Sequence, residues 1–251
     1  MPGRPRPVDV RRSAERYLTR ADGITIRHAF SSGHHYDSTN TSYGPLLAHD
    51  EITLGPGAGF PAHPHRGVEI VTWVLSGSLG HEDSAGHRGL VTAGVVQRLG
   101  AGGGVVHSEH NGSQVDEAHV VQMLLGADPV ATPSYASCAL DDAELAGGLV
   151  PVASGIPGRH GVVRLVAPGA ALHVGRLGAG ASRPLPAAPM IHLHVARGTV
   201  VLEGVGRLCA GDAVRLSDGG GRLVTGDGAG IAGAADASAE LLVWELHPRA
   251  R

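Results

Sequence analysis

Four residues with metal-binding side chains stand in two pairs near the middle of the chain. His63 and His65 form one pair, and His107 and Glu109 form the other. Residues two apart on a strand point to the same face, so two strands that pair or face each other would aim four ligands at one point. Neutral imidazoles with a carboxylate suit Fe(II), Ni(II), Cu(II), Mn(II) or Zn(II). Each pair alone is a weak signal, but the two together predict a transition-metal site.

The sequence around the two pairs predicts strands that would position them. Residues 69–75 form a strongly β-prone run, and residues 24–30, 46–54 and 119–125 also alternate as strands do. Glycine-containing turns separate these runs at intervals of about 8–12 residues, a spacing typical of β-sandwiches and barrels. The pattern therefore predicts an all-β fold.

Composition bounds the remaining possibilities. The chain has 251 residues, 42% of them hydrophobic, which allows one large domain or two smaller ones with a sizeable core. The net charge is −3, and arginines cluster only in residues 4–12, so we expect a solvated flexible tail there and no nucleic-acid partner. Cys138 and Cys209 stand alone, which fits a reducing cytoplasm without a disulfide framework. We expect neither a transmembrane helix nor a signal peptide, and no membrane partner.

An internal repeat predicts two barrels of similar plan. Residues 54–59 resemble 177–182, residues 74–77 resemble 195–198, and residues 93–96 resemble 210–214. The repeat fails at the ligands, since the matching positions hold Pro or Ala in the second half, and Val224 and Gly226 stand opposite the His107 pair. We therefore expect a second barrel without metal, in which His192 and His194 are core or surface histidines.

These patterns divide the chain into three parts. We predict an N-terminal metal-binding domain over residues 20–133, a connection over 134–157 and a C-terminal domain without metal over 158–251. The segment 137–145 is the best candidate for a short helix. Residues 1–19 are expected to form a loosely held arm. Residues 31–45 should form a loop, in which His34 and His35 either face a pocket or lie in solvent.

Several motifs in the first half resemble those of the pirin family of bicupins. They are His-Pro-His-Arg-Gly at 63–67, Val-Leu-Ser-Gly at 74–77, His-Glu-Asp-Ser-Ala-Gly at 81–86 and Gly-Val-Val-His-Ser-Glu at 104–109. The resemblance implies two double-stranded β-helix (jelly-roll) barrels with a short connecting helix. It also implies a single metal site, whose ligands would be the following residues: His63, His65, His107 and Glu109.

The resemblance leaves the carboxylate ligand open to one alternative. General cupins take this ligand from the first motif, where Glu69 has the same strand parity as the two histidines. Parity alone does not exclude Glu69. The pirin resemblance favours Glu109 and would make Glu69 an outer acceptor for an imidazole N–H. His110 departs from the family, where relatives often carry an apolar residue, and its direction stays open.

The same resemblance extends to bacterial members described as quercetin 2,3-dioxygenases. It implies a metal-dependent dioxygenase that cleaves a flavonol such as quercetin with O₂ and releases carbon monoxide. The cofactor would be one divalent transition metal, with Fe²⁺ favoured and Ni, Cu, Mn, Co or Zn as alternatives. Glu109 would be the catalytic base as well as a ligand. The other function classes are a metal-binding redox sensor or regulatory protein-binding module, and a metal-dependent isomerase or hydrolase.

Overall fold

The computed structural model describes residues 7–228 and 238–248. Its elements are strands, one six-residue α-helix and a 3₁₀ turn at Ser13–Glu15, which confirms the predicted all-β class. The bounds are β1 Val8–Arg11, β2 Tyr17–Ala21, β3 Ile24–His28, β4 Leu46–Leu54, β5 Gly59–His65, β6 Val68–Ser76, β7 Ser78–Asp83, β8 Arg88–Thr92, β9 Val95–Gly100, β10 Val105–Asn111, β11 Ala118–Gly126, β12 Ser134–Ala139, α1 Asp142–Gly147, β13 Val150–Ser154, β14 Val163–Arg164, β15 Ala170–Leu177, β16 Ser182–Pro184, β17 Met190–Arg197, β18 Thr199–Leu202, β19 Gly206–Cys209, β20 Ala213–Ser217, β21 Leu223–Gly226 and β22 Ala239–Leu246. Over the described ranges, no helix combines the length and apolar character needed to cross a membrane.

One compact unit contains residues 17–140 and 165–167. Its seven-stranded sheet has the order β12-β9-β6-β11-β4-β3-β2, and its four-stranded sheet has the order β5-β10-β7-β8. Val74 and Val120 from the larger sheet share one buried cluster with Leu79 and Val91 from the smaller sheet. The two sheets therefore pack face to face, and burial of these alternating apolar side chains holds them together.

The second unit repeats this plan. Among the described residues it contains 7–16, 141–164, 168–228 and 238–248. Its seven-stranded sheet runs β1-β20-β17-β22-β15-β13-β14, and its four-stranded sheet runs β16-β21-β18-β19. Strands β16, β21 and β18 thus have the neighbours in this unit that β5, β10 and β7 have in the other. The predicted domain boundaries at 20–133, 134–157 and 158–251 stay a prediction.

The prediction of a loose N-terminal arm is wrong for the part that the structure describes. Strand β1 pairs antiparallel with β20, with Val10 opposite Val214. Val8 and Val10 pack against the apolar core of the second unit, and Arg12 Nη1 lies 2.7 Å from Asp212 Oδ2. The arginines obscured a short alternating apolar pattern, which is what places this segment on a sheet edge. Residues 1–6 lie outside the described residues.

The short helix is present but starts later than its predicted start at residue 137. Ser134–Ala139 is instead strand β12, which pairs with β9. The helix begins at Asp142 because Asp141 caps it: the Asp141 carboxylate accepts the Glu144 N–H at 2.7 Å, and the Glu144 carboxylate accepts the Asp141 N–H at 2.9 Å. This reciprocal capping box satisfies two backbone donors that the first helical turn would leave unpaired.

Candidate metal centre

The pairing of β5 and β10 brings the two sequence motifs together. In this antiparallel register His63 lies opposite His107, and His65 lies opposite Val105. A shift in register, of the kind a β-bulge produces, occurs between His107 and Glu109. On the other side of β10, strand β7 places His81 opposite Glu109. Three neighbouring strands of the four-stranded sheet therefore carry all of these side chains.

Three imidazoles converge in what we call the outer cluster, formed by His63, His65 and His107. One ligand atom from each ring lies within 4.8 Å of the others. The ring centroids of His63 and His107 are 4.5 Å apart, and those of His65 and His107 are 5.0 Å apart. His107 is buried, whereas His63 and His65 are partly exposed. The cluster therefore has one closed side and one side that is accessible from outside the barrel.

A second group, which we call the inner cluster, contains His81, His107 and Glu109. Their ligand atoms also lie within 4.8 Å of one another, and all three residues are buried. Glu109 thus shares a group with His107 and His81, rather than one compact group with His63 and His65. His81 belongs to the motif at 81–86, for which no ligand role was predicted. Its signal was the i, i+2 pair with Asp83, which has the same spacing as the two ligand pairs.

Side-chain amides hold the Glu109 carboxylate in place. Gln122 on β11 donates its Nε2–H to Glu109 Oε2 at 2.7 Å, and Gln97 on β9 donates to Oε1 at 3.4 Å. The Tyr135 hydroxyl donates to Gln97 Oε1 at 3.1 Å, which fixes the Gln97 amide with its nitrogen toward the carboxylate. These donors belong to the seven-stranded sheet and meet a carboxylate on the four-stranded sheet.

The electrostatics of the site favour neutral His65 and His107 beside an ionised Glu109. At His81, burial lowers the pKa, but the neighbouring Glu109 and Asp83 carboxylates outweigh it and raise that pKa. Burial, with the nearby His63, His65 and His81, outweighs the attraction of Glu109 and lowers the pKa of His107 to about 4. Burial also lowers the pKa of His65, with a further contribution from His63. Burial would raise the pKa of Glu109, but the neighbouring His81, the charge of His107 and hydrogen bonding to Gln122 lower it overall. Neutral imidazole and carboxylate are the protonation states that ligate a metal.

The donor set fits a divalent transition metal. Both ring nitrogens of His107 are buried and lack a hydrogen-bond partner among the described residues, an arrangement that costs free energy unless something binds there. His63 donates its Nδ1–H to the Pro61 carbonyl at 2.8 Å, which leaves Nε2 with its lone pair toward a ligand. Several imidazoles and one carboxylate suit Fe(II), Ni(II), Cu(II), Mn(II) and Zn(II) alike.

Comparison with known proteins agrees with this architecture. The family described as Pirin matches residues 10–125. A Mycobacterium tuberculosis (strain H37Rv) protein, provisionally named a quercetin 2,3-dioxygenase, is 44% identical over 96% of each chain. A provisionally named quercetin 2,3-dioxygenase from Zymomonas mobilis is 32% identical over 78% of this chain and 83% of its own. The crystal structure of the bacterial pirin YhhW from Escherichia coli in complex with nickel(II) superposes with a TM-score of 0.84 at 26% identity, covering 96% of this chain and 100% of the other.

This chain belongs to the pirin family. The agreement with a solved pirin over nearly the whole chain also confirms the bicupin fold that the motifs predicted. The nickel complex is a property of that relative. In this pirin, the three-imidazole cluster and the adjacent Glu109 form the candidate metal site.

The prediction that Glu69 accepts an N–H from a metal-binding imidazole is wrong. Glu69 is fully buried on β6, and its carboxylate accepts from Arg98 Nε at 2.7 Å. It also accepts the backbone N–H groups of Val166 and Ala167. Arg98 and these amides occupy both of its oxygens, so the Glu69 carboxylate has a structural role. Strand parity missed this because parity says nothing about which sheet a strand joins.

The remaining histidines of interest lie away from the two clusters. His110 is exposed, and its ring covers Gly80, where a Cβ atom would approach its Nε2 to 2.5 Å. His35 stacks on Tyr17 with ring centroids 4.7 Å apart, and His34 is exposed. His192 and His194 are completely buried in β17 of the second unit. Val224 and Gly226, which match the His107 pair, lie on β21, the counterpart of β10.

Proposed function

We propose that this pirin is a metal-dependent dioxygenase that acts on a flavonol-like enol such as quercetin. The observation that carries the proposal is the convergence of three imidazoles beside a buried Glu109 whose pKa is lowered. We assign His63, His65, His107 and Glu109 as the ligands of one divalent metal, with Fe²⁺ favoured. The names of the Mycobacterium and Zymomonas relatives support the substrate class.

The protein groups have separate tasks in this proposal. A bound divalent ion would act as a Lewis acid toward the adjacent hydroxyl and carbonyl oxygens of the substrate. Glu109 would accept the hydroxyl proton and leave the substrate as an enolate. Gln122 and Gln97 would keep the carboxylate oriented while it changes charge. The enolate would then react with O₂ without a protein nucleophile, and ring cleavage would release carbon monoxide.

The partly exposed side of the outer cluster supports this assignment. His63 and His65 are partly exposed, whereas His107 and Glu109 are buried. A planar polyphenol could therefore approach from the side of His63 and His65, while the proton-accepting carboxylate stays shielded from water. Burial of the base in this way strengthens its electrostatic interaction with the substrate.

The test is an anaerobic single-turnover experiment. Protein loaded with Fe²⁺ or with Ni²⁺ is mixed with quercetin, and O₂ is then admitted while the flavonol absorbance and carbon monoxide are measured. We expect substrate loss and carbon monoxide in equal amounts with wild type and with His110→Ala, and neither with His107→Ala. A metal-replete protein that turns over no flavonol would refute the dioxygenase assignment. It would favour the alternative, a metal-binding redox sensor or regulatory module.

A further inference from the structure

The inner cluster contains a histidine that the proposed ligand set does not use. His81 is 2% exposed and stands opposite Glu109 in the pairing of β7 with β10. Its ring stacks on Tyr135 with centroids 5.0 Å apart, and its centroid is 5.4 Å from that of His107. These contacts fix the plane of the imidazole and leave its edge directed at the Glu109 carboxylate.

Asp83 selects which nitrogen of His81 is available. His81 Nε2 lies 3.2 Å from Asp83 Oδ2. The other oxygen of Asp83 accepts the backbone N–H groups of Ala85 and His87 at 2.9 and 3.1 Å, so the carboxylate cannot rotate freely. A carboxylate only accepts, so Nε2 carries a proton, and Nδ1 is the nitrogen of His81 that can offer a lone pair to a metal. A carboxylate behind an imidazole in this manner is the usual outer partner of a metal-bound histidine.

The gap between His81 and Glu109 has the size of a coordination sphere. His81 Nδ1 is 3.9 Å from Glu109 Oε1, which is too long for a hydrogen bond. Nδ1 is buried and lacks a hydrogen-bond partner among residues 7–228 and 238–248. A lone pair and a carboxylate facing each other in a buried site repel unless a proton or a metal cation lies between them. Metal–nitrogen and metal–oxygen bonds of about 2.0–2.2 Å can span such a gap.

We propose that His81, His107 and Glu109 form a second, inner position for a divalent transition metal, with Asp83 as the outer acceptor for His81. The inner position shares His107 and Glu109 with the ligand set of the proposed function and rests on that proposal to this extent. Because of this sharing, one ion occupies either position, and the chain binds a single metal in total. Two imidazoles and a carboxylate suit an ion of the Zn²⁺ and Co²⁺ class.

Cobalt titration of variants tests the inner position. Apoprotein is titrated with Co²⁺, with the visible absorption of the bound ion and competition with a chelator as readouts. His63→Ala/His65→Ala should still bind one Co²⁺, with affinity reduced at least about 10-fold because fewer ligands remain. Adding His81→Phe, which keeps a ring against Tyr135, should weaken this residual binding by about 10²-fold. Residual binding that is absent, or that is unaffected by His81→Phe, would overturn the inner position.

Asp83→Asn provides a second test with almost no change in shape. The Asn oxygen must remain toward the Ala85 and His87 amides, so its NH₂ group faces His81 Nε2. This forces the His81 proton onto Nδ1 and removes the lone pair. In the His63→Ala/His65→Ala background, Asp83→Asn should lower Co²⁺ affinity at least about 10-fold. Unchanged affinity in protein with a wild-type circular dichroism spectrum would overturn the proposal.

Failure of the proposed outer site has a different signature. In that case His63→Ala/His65→Ala would bind Co²⁺ as tightly as wild type, and its affinity would still depend on His81. That result would retain the inner position and remove the outer one. A further outcome is that a proton on His81 Nδ1, rather than a metal, lies between His81 and Glu109. His63→Ala/His65→Ala would then bind no Co²⁺, which would count against the inner position.

Discussion

His63 lies directly opposite His107 in the antiparallel pairing of β5 with β10, and their ring centroids are 4.5 Å apart. This pair joins residues 44 positions apart in the sequence and fixes the register of both strands. Since side chains alternate between the two faces of a sheet, a slip of one residue would turn either ring away from the other. The strand pairing therefore sets the geometry of the outer cluster.

His107 is the residue that both clusters need, so its removal should abolish metal binding. We expect His107→Ala to contain less than about a tenth of an equivalent of metal, against about one equivalent in wild type. His110→Ala is the matched control, because His110 is on the same strand but exposed. Elemental analysis of both variants measures the metal content per chain. A full equivalent retained by His107→Ala would point to a site elsewhere, including the second barrel.

Glu109→Gln separates the ligand role from the base role. The amide keeps the shape of the side chain but accepts a proton poorly. We expect weaker metal binding and, after reloading, turnover reduced by roughly 10²-fold or more with flavonol binding retained. The acidic limb of the pH–rate profile should also disappear, since a carboxamide does not titrate. Wild-type turnover in the metal-replete variant would remove the base role.

Glu69→Gln is the contrasting buried carboxylate and should affect stability alone. The change leaves buried Arg98 without its counter-charge and turns an NH₂ group toward backbone N–H donors. The free energy of unfolding should fall by about 3–5 kcal/mol, the usual cost of breaking a buried ion pair. Urea denaturation measures this loss. Folded Glu69→Gln with clearly reduced metal content would show that Glu69 does reach the metal site.

Asn111→Asp should destabilise the end of β10. The Asn111 amide nitrogen donates toward three backbone carbonyls at 2.8–3.0 Å, those of Leu54, Gly55 and Asp116. An aspartate would place an acceptor oxygen against those three oxygens in a buried position. We expect a loss of at least about 3 kcal/mol in unfolding free energy, measured by chemical denaturation. An equal loss in Asn111→Ala would mean that packing, rather than the donor, is what matters.

Glu245→Gln should change how stability depends on pH. Burial would raise the pKa of Glu245, but hydrogen bonds from His173 and His247 and the charge of Arg159 lower it below its ordinary 4.5. A carboxyl with a lowered folded-state pKa stabilises the protein above its unfolded pKa and loses this contribution as the pH falls through the folded value. The free energy of unfolding of wild type should therefore exceed that of the variant by about 1–3 kcal/mol at pH 7. This difference should narrow below pH about 4.5, which chemical denaturation at several pH values would measure. A gap independent of pH would exclude charge as its source.

Strand periodicity was sufficient where the determinant is local. It gave Leu46–Leu54 with its observed bounds, because alternating apolar residues bounded by turns specify a strand with one buried face. It missed β16, β19 and β21. These strands have three or four residues each, too few to show an alternation of apolar and polar side chains. Such short strands, whether at the sheet edge like β16 and β19 or between two others like β21, form because their neighbours are already in place.

The roles of buried polar residues could not be predicted in this way. Glu69 has the strand parity of His63 and His65, but its partners are Arg98 and amides about 97 positions away. His81 acquires its position only when β7 pairs with β10. Local sequence fixes the face of a strand, whereas the partner on that face depends on contacts between distant segments.

The amide clamp on Glu109 has a consequence for folding. The candidate ligands lie on the four-stranded sheet, whereas Gln97 and Gln122 belong to the seven-stranded sheet, so the carboxylate is held only after both sheets have docked. Segments that are distant in sequence meet late in folding, since loop-closure entropy opposes their contact. Tight metal binding would therefore occur only in the fully folded barrel. By binding the folded state, the ion would stabilise the docked sheets by an amount that grows with free metal concentration.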